Sequence, residues 1–243
     1  MVGPLPAAAA HRHHAAQIAC GLDGPIAVRS PEDGERSGDL ILIPPDHVHD
    51  HGAFGAAAVL FLDPESAEWR RFADGRAAGL ALLAFRPALR GLARGAGRGR
   101  ADAARSFCDA IVGPSDGAPG GDDAVVRQVC ELVRRGLDRR VTLAALADAV
   151  HRSPSRLAHR VRDALGLPLR RYVLWCRLRA AADAALRGAS WTAAAQAGGF
   201  ADSAHLSRTF RAHFGIAPSL LLARERFEVT FIEPSVAVAA EPR

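Results

Sequence analysis

The chain has 243 residues, 49% of them apolar, and a formal net charge of +5. This length allows one large domain or two small ones, and the apolar fraction is enough to bury a core, which excludes a wholly disordered chain. The longest apolar runs fall far short of the roughly 20 residues that cross a bilayer, so we expect no membrane partner. The first ten residues do not resemble a secretory signal and the four cysteines form no C-x-x-C pair, which favours a cytoplasmic protein.

The charge is distributed unevenly along the chain. Residues 1–65 carry 3 arginines and 9 acidic residues, whereas residues 122–224 carry 17 arginines and 8 acidic residues, a net charge of +9. All 31 basic residues are arginine. A genome rich in G and C explains that choice of residue, but it does not explain an acidic segment followed by a basic one. The distribution predicts a polyanion as the partner of residues 122–224.

Short strands are predicted in the first part of the chain. Apolar or alternating runs occur at Gln17–Cys20, Ile26–Arg29, Asp39–Ile43, Val59–Leu62 and Gly79–Phe85. Gly, Pro and Asp separate these runs, a pattern typical of a small β-barrel or sandwich. We therefore predict a β domain over residues 1–86.

From Pro87 onwards the pattern becomes helical. Leu89, Leu92, Phe107 and Ile111 recur at helical spacing, and a run rich in Gly and Pro over residues 113–121 then indicates a domain boundary. We predict a helical linker over residues 87–121. Its apolar stripe fits dimerisation and packing within the chain equally well, so a homodimer is one of two expectations.

Residues 122–224 predict an all-α domain that contains two helix-turn-helix units. Thr142, Ser153 and Asp202 are placed to cap helices of these units, and Ser190 starts a further short helix. The second helix of the first unit has Leu157, Val161 and Leu165 at inner positions, and the second helix of the second unit has Leu206 and Phe210. Both helices carry arginines on their outer faces. A tail over residues 225–243 follows.

A helix over residues 168–187 joins the two units. Its 20 residues contain no Gly or Pro after the first position and span roughly 30 Å. That length is close to the roughly 34 Å between successive major-groove faces of B-DNA. The sequence therefore predicts that one chain places two recognition helices in adjacent major grooves.

The second unit resembles a known family. Its motif runs Gly199-Phe200-Ala201-Asp202-Ser203-Ala204-His205-Leu206-Ser207-Arg208-Thr209-Phe210-Arg211, followed by Phe214-Gly215 and Pro218-Ser219. This is similar to the signature of the AraC/XylS transcription regulators, and residues 143–157 resemble the first unit of that family. The resemblance covers residues 122–224 and implies a sequence-specific transcription regulator, not an enzyme. Its implied partners are double-stranded DNA and RNA polymerase.

The resemblance also implies roles for individual residues. The implied base-reading residues are Ser155, Ala158 and His159 in the first groove, and Ser203, Ala204, Ser207 and Arg208 in the second. Arg208 is the best candidate for a bidentate guanine contact. The implied phosphate contacts are Arg156, Arg160, Arg177 and Arg211. Three positions of the first unit depart from the family pattern, namely His151, His159 and Val161.

The first segment resembles the cupin-like sensing domain found in many members of this family. His11-x-His13, Gln17 and Gly24, then Gly38, Pro44 and His49, follow the order of the two cupin motifs. In metal-binding cupins the corresponding ligands are two His, a Glu and a third His. The resemblance thus implies an organic effector or a metal at His11, His13, Gln17 and His49, although Gln17 removes the anionic ligand. No cofactor is implied for DNA binding itself.

Two other functions are compatible with parts of the sequence. A cupin-type metalloenzyme with a helical appendage needs a complete metal-binding triad, which Gln17 interrupts. A non-specific architectural or RNA-binding protein favours exposed aromatic residues among its arginines. Here only 6% of the residues are aromatic, and Phe200, Phe210 and Phe214 fall on predicted core positions.

Overall fold

The computed structural model describes residues 2–66, 123–137 and 141–221. The predicted strand Gly79–Phe85, the linker over residues 87–121 and the tail over residues 225–243 lie outside the described residues. Within the described ranges, no helix has both the length and the apolar character needed to cross a membrane.

The N-terminal part is a β domain of two antiparallel sheets. In residues 2–66 its strands are β1 (Val2–Leu5), β2 (Ala8–His11), β3 (Ala16–Gly21), β4 (Ile26–Ser30), β5 (Gly34–Gly38), β6 (Leu40–Ile43), β7 (His49–His51) and β8 (Phe54–Leu62). One sheet has the order β1-β8-β3-β6 and the other has the order β2-β7-β4-β5. Both sheets contribute to one apolar core, in which Ile26 and Val28 of β4 meet Ile41, Ile43 and Val59. The domain is cupin-like, as the sequence predicts.

The predicted strands are confirmed where the sequence alternates or is strongly apolar. Gln17–Cys20, Ile26–Arg29 and Asp39–Ile43 match β3, β4 and β6 to within one residue at each end, and Val59–Leu62 is the second half of the longer β8. The sequence does not reveal β1, β2, β5 or β7. β5 is almost wholly exposed and polar, and β7 has only three residues, so neither carries an apolar pattern.

The C-terminal part is helical. Its described helices are α1 (Ala124–Arg135), α2 (Leu143–Ala149), α3 (Pro154–Leu165), α4 (Leu169–Leu186), α5 (Trp191–Ala197), α6 (Ser203–Phe214) and α7 (Pro218–Leu221). Helices α2 and α3 form the first helix-turn-helix unit, and α5 and α6 form the second. The predicted α+β fold, with two such units joined by a long helix, is thus confirmed.

The predicted N-caps and the predicted helix start at Ser190 are also confirmed. The side chains of Thr142, Ser153, Ser190 and Asp202 each accept a hydrogen bond from a backbone N–H in the first turn of the helix that follows. Each bond satisfies one of the donors that a helix leaves without an internal partner. The two units therefore begin their helices at the residues that the sequence specifies.

The connecting helix α4 is buried on more than one side. The sequence predicts a single apolar stripe through Leu169, Val173, Cys176 and Ala180. In the structure, Val173 and Cys176 belong to the core of the first unit, whereas Leu178, Ala181 and Ala185 belong to the core of the second. Tyr172 and Trp175 are buried as well. A single stripe is wrong because α4 packs against both units and against the β domain.

A glycine pair links the second unit to the first. Gly199, at φ 67°, lies in the turn between α5 and α6, and a Cβ there would overlap the carbonyl oxygen of Leu137, just beyond α1. A Cβ on Gly198 would lie 2.6 Å from the carbonyl oxygen of Arg177 on α4. Only glycine permits these close backbone approaches. The turn of the second unit is therefore seated against the scaffold of the first.

Candidate DNA-binding surface and histidine pocket

Helix α3 presents most of its predicted contact residues to solvent. Ser153 caps it and Pro154 is its first residue, so its amino end is well defined. Its inner residues Leu157, Val161 and Leu165 are buried, as predicted. This leaves the predicted contact residues on the outer side, where Ser155, Arg156, His159 and Arg160 are exposed and Ala158 is half-buried.

Helix α6 has the same design. Asp202 caps it, and Leu206 and Phe210 hold its inner face. Ala204, Arg208 and Arg211 are exposed, whereas Ser203 and Ser207 are half-buried. Arg208 therefore extends from the outer face of α6 into solvent, where a base edge or a phosphate can reach it.

The hydroxyl of Ser207 already has two partners within the protein. Trp191 Nε1 donates to Ser207 Oγ at 2.7 Å, and the hydroxyl itself donates to the Ser203 carbonyl oxygen at 2.8 Å. The Trp191 ring also packs edge-on against Phe210, with centroids 6.2 Å apart. Ser207 thus joins α5 to α6, and only one lone pair is left for a base donor.

The four predicted phosphate contacts have different surroundings. Arg156 and Arg211 are exposed, and no ion pair is found for either among the described residues. Arg160 pairs with Asp123, the N-cap of α1. Arg177 is half-buried beside the Gly198–Gly199 turn. Two of these arginines are therefore directed to solvent, and the other two lie against neighbouring parts of the domain.

A cleft beside the amino end of α3 adds a residue that the sequence analysis does not single out. It has a volume of about 560 Å³ and is lined by Asp148, His151, Arg152, Ser153 and Arg156. Arg152 is exposed next to the cap of α3, and a helix amino end attracts anions. The signal for Arg152 in the sequence is its position immediately before the N-cap Ser153.

Other arginines of the basic segment bind the β domain. Asp46, in the loop between β6 and β7, pairs with Arg171 on α4 at 2.6 Å. Asp63, just after β8, accepts a hydrogen bond from Trp175 Nε1 at 2.6 Å and pairs with Arg179. Part of the opposite charge of the two segments is thus neutralised within the molecule, since acidic residues of the β domain form ion pairs with basic residues of α4.

A third carboxyl group, that of Glu65, is buried where the two halves meet. Its Oε1 accepts a hydrogen bond from the Tyr172 hydroxyl at 2.8 Å and lies 3.7 Å from the Arg134 guanidinium. The side chain is only 1% exposed. Burial, assisted by the neighbouring charge of Asp63, raises the pKa of Glu65 to about 7. The contact between the halves therefore contains a carboxyl group that is partly protonated near neutral pH.

The histidines singled out by the sequence meet in one buried cluster. His11 lies on β2, His49 on β7 and His13 in the loop before β3, and one ring nitrogen from each lies within 4.8 Å of the others. Each Nδ1 is close to a backbone carbonyl oxygen, that of Ala9, Ala15 or His47. These contacts direct the Nε2 atoms to the other side of each ring. We call His11, His13, His49 and Gln17 the histidine pocket.

Burial keeps the rings of the histidine pocket neutral. Burial is the larger cause and proximity to His49 is the next, and with them the pKa of His11 falls to about 4 and that of His13 to about 3. A neutral ring carries one proton, which Nδ1 of His13 donates to the Ala15 carbonyl oxygen at 2.7 Å. The amide of Gln17 lies 2.7 Å from Nε2 of His13, with Oε1 placed nearest. Since the oxygen and nitrogen of an amide are assigned from the hydrogen-bond network, a His13 ring protonated at Nδ1 requires the NH₂ group at this position instead.

The end of α6 covers this pocket. The Phe214 ring lies over His13, with centroids 6.5 Å apart, and also contacts Phe61 at 5.8 Å and Trp175 at 6.2 Å. Next to it, the carbonyl oxygen of Gly215 accepts a hydrogen bond from Ala9 N–H at 3.1 Å. The second recognition helix and the histidine pocket are therefore in direct contact.

The chain has two exposed recognition helices that carry arginines, both joined to the long helix α4, and a cupin-like β domain. Together these features define a DNA-binding transcription regulator. The comparison with protein families agrees, because a helix-turn-helix domain matches residues 146–224. That domain is of the AraC type.

Two solved structures of ToxT show the same overall fold. Apo ToxT from Vibrio cholerae, as a single-residue variant, is 13% identical over 91% of this chain and 95% of its own, with a TM-score of 0.58. Wild-type ToxT with a bound unsaturated fatty acid is 12% identical over 91% of this chain and 93% of its own, with a TM-score of 0.56. An AraC-type regulator from Chromobacterium violaceum is 25% identical over 41% of this chain and 90% of its own, with a TM-score of 0.39.

Proposed function

We propose that this protein is a sequence-specific regulator that reads two adjacent major grooves of double-stranded DNA. The observation that carries the proposal is the pair of capped, outward-facing helices α3 and α6 at the two ends of α4. The 18 residues of α4 span about 27 Å, which suits two sites one helical turn apart. We divide the chain into an effector-sensing domain (1–86), a helical linker (87–121), a DNA-binding domain (122–224) and a tail (225–243).

The proposed contacts follow from exposure. Ser155, Ala158 and His159 read the first block of the operator, and Ser203, Ala204 and Arg208 read the second. Ser207 contributes through its remaining lone pair. The proposed phosphate contacts are Arg156 and Arg211, and Arg152 in the cleft beside α3 is added to them. Arg160 and Arg177 also contact phosphates in this proposal, after their side chains turn toward the DNA. RNA polymerase and a second copy of the chain complete the proposed partners.

The proposed regulator responds to a ligand in the histidine pocket. A transition metal fits the imidazole donors, because Nε2 of His49 is buried with no hydrogen-bond partner among the described residues, and Nε2 of His13 would become available if the Gln17 amide turned away. His11, His49 and His13 would hold such an ion, which would supply a Lewis-acid centre there. An organic acid is the second candidate, because the neighbouring rings of Phe61, Trp175 and Phe214 offer apolar surface and one ToxT structure contains a fatty acid.

The DNA-reading proposal is tested by selecting binders from a random duplex pool with the full chain. We expect a site with two conserved blocks about 10 base pairs apart. The affinity for that site should fall steeply with salt, with a log–log slope of roughly −6 to −9 for some 6 to 10 phosphate contacts. A pool without preferred sequence contradicts the proposal and favours the architectural alternative.

The division between base and phosphate contacts is tested by Arg208→Ala against Arg211→Ala. Loss of Arg208 should reduce discrimination in the second block by about 1 to 3 kcal/mol and leave the first block unchanged. Loss of Arg211 should weaken all duplexes about equally and reduce the salt slope by about 1. Equal effects of both substitutions on every duplex contradict the division.

The pocket proposal is tested by metal analysis after dialysis, together with His11→Ala and His49→Ala. A stoichiometric ion that both variants lose, and that changes DNA affinity in the wild type, supports a metal effector. An organic effector should instead raise the melting temperature of the metal-free protein and change its DNA affinity. No observation on the described residues favours the metalloenzyme alternative. A retained ion with no effect on DNA affinity, together with substrate turnover, would favour it.

A further inference from the structure

The two recognition helices end in the same way but in different surroundings. Gly166 ends α3 at φ 71°, and Gly215 ends α6 at φ 67°. A Cβ on Gly166 would meet nothing within 4 Å. A Cβ on Gly215 would overlap the carbonyl oxygen of Ala9 and lie 2.7 Å from Nδ1 of His11. The turn after α6 is therefore pressed against β2, whereas the turn after α3 is open.

Several contacts hold the end of α6 on the β domain. The Ala9 N–H donates to the Gly215 carbonyl oxygen, which adds a backbone hydrogen bond beside β2. Phe214 packs against the β-domain rings of Phe61 and His13. One residue earlier, the buried ring of His213 meets His14 edge-on, with centroids 4.6 Å apart. Three consecutive residues of the second unit thus contact the β domain.

Helix α3 has no comparable attachment. Over residues 2–66, 123–137 and 141–221, no hydrogen bond, ion pair or ring contact joins a residue of α3 to a β strand. Its one ion pair, Arg160 with Asp123, stays within the helical domain. The first unit meets the β domain through its scaffold instead, where Arg134 of α1 and Tyr172 of α4 approach Glu65.

We infer that the described part of the β domain positions the second recognition helix directly and the first only through α1 and α4, with Gly215 and Phe214 as the positioning residues. The inference rests on the proposed function, since it states how one of the two reading helices is held. A helix that is restrained before DNA arrives loses less conformational freedom on binding. The second block is therefore read tightly only while α6 and β2 are in contact.

The same contact links the histidine pocket to the helix that we propose binds the second block of the DNA. His11 and His13 line the pocket on one side and touch the Phe214–Gly215 turn on the other. An occupant that shifts either ring therefore changes the support of α6. The recognition of the second block, and not that of the first, should respond to the state of the pocket.

The test compares Gly215→Ala with Gly166→Ala in the full chain. Both substitutions put a Cβ on a left-handed glycine at the end of a recognition helix, so they share the same backbone strain. Only Gly215→Ala also collides with the β domain. We expect it to weaken binding to a two-block duplex roughly threefold to tenfold, and to leave binding to a duplex with a scrambled second block unchanged. Gly166→Ala should leave the contribution of the second block intact.

A second pair of variants changes only the β domain. Phe61→Leu removes a ring that contacts Phe214, whereas Phe54→Leu removes a ring of the same strand whose ring contact is with His51. Phe61→Leu should reproduce the loss at the second block, and Phe54→Leu should not. Thermal melts establish that each variant folds, and the Phe61 pair provides the test by itself if Gly215→Ala does not fold.

The outcomes separate this inference from the proposed function. A wild-type protein that selects no two-block site contradicts the proposed function before any variant is compared. If the wild type does select such a site, equal losses at both blocks overturn the inference. Tighter binding to the second block in Gly215→Ala or Phe61→Leu also overturns it, because the β domain would then hold α6 away from DNA.

Discussion

The two helix-turn-helix units share one design but are attached to the β domain in opposite ways. Each has a 12-residue recognition helix with an acceptor side chain at its N-cap and a left-handed glycine at its end. The first unit is anchored through α1 and α4, which leaves α3 exposed. The second unit is anchored through the end of its own recognition helix. Two units of similar local sequence are therefore attached to the β domain in different ways.

Under the proposed function, this difference would let the β domain act on one of the two DNA-binding units and not on the other. Contacts through scaffold helices fix where a unit lies but leave its reading helix independent. Contacts through the recognition helix itself would couple that helix to a ligand of the β domain, if the proposed effector binds there. Four tests of this comparison are described from the largest expected effect to the smallest.

The strongest test removes one leucine from the core of each unit. Leu157 and Leu206 are fully buried in separate cores. Replacing either by alanine should lower the free energy of unfolding by about 2 to 5 kcal/mol, because a cavity is left. Footprinting should show loss of the first block in Leu157→Ala and of the second block in Leu206→Ala. If each variant lost both blocks equally, the two units would be one cooperative structure.

Glu65→Gln tests the anchor of the first unit. The pKa of Glu65 is raised from 4.5 to about 7, mainly by burial. Below pH 4.5 the carboxyl is protonated in both the folded and the unfolded protein. As pH rises from 4.5 to 7 the unfolded chain loses the proton first, so the free energy of unfolding decreases, by on the order of 3 kcal/mol.

Glutamine keeps an acceptor for the Tyr172 hydroxyl but does not titrate. The stability of Glu65→Gln relative to wild type should therefore increase between pH 4.5 and pH 8, as measured by denaturant unfolding at both values. A constant difference over this range would contradict the raised pKa. Discrimination in the first block should not change, because α3 does not contact Glu65.

Trp191→Phe examines the internal bond of the second unit. Phenylalanine retains the ring that packs on Phe210 but removes the N–H that donates to Ser207. We expect a loss of about 0.5 to 1.5 kcal/mol in discrimination at the second block only. The double variant with Ser207→Ala should lose no more than the larger single effect, as a double-mutant cycle measures. Additive losses would mean that Trp191 acts by another contact.

Asp123→Asn, the mildest change, releases Arg160 while keeping a good N-cap for α1. An arginine made available to phosphate should make the slope of log affinity against log salt more negative by about 0.9. Asp202→Asn is the matched control, since it removes the same charge at the cap of α6, where no ion pair is found among the described residues. An equal change of the salt slope in Asp123→Asn and Asp202→Asn would show that the loss of one negative charge, and not the release of Arg160, causes the effect.

Local features of the helical domain could be predicted from the sequence. Caps depend on one side chain and the next three residues, so Ser153 and Asp202 are recognisable without any tertiary information. The inner positions Leu157, Val161, Leu206 and Phe210 follow from helical periodicity. The proximity of His11, His13 and His49 follows from a resemblance, since no local rule brings β2 and β7 together.

Contacts between the halves could not be predicted, because they depend on the relative placement of elements far apart in sequence. Glu65 and Tyr172 are separated by 107 positions, and neither carries a motif. The burial of His213 likewise depends on its contact with His14. The short polar strands β5 and β7 were missed because they bury too little apolar surface to produce a pattern.

The glycine pair that seats the second unit on the first has a consequence for operator architecture. Gly199 packs directly on the backbone at the end of α1. The angle between the two helix-turn-helix units is therefore set by main-chain packing and not by adjustable side chains. In B-DNA each inserted base pair turns the second block by about 35° around the helix axis. If the two helix-turn-helix units cannot rotate relative to each other by that angle, the protein requires one fixed spacing between the two blocks of its operator. Promoters whose blocks differ in spacing by one base pair should then bind with different affinities.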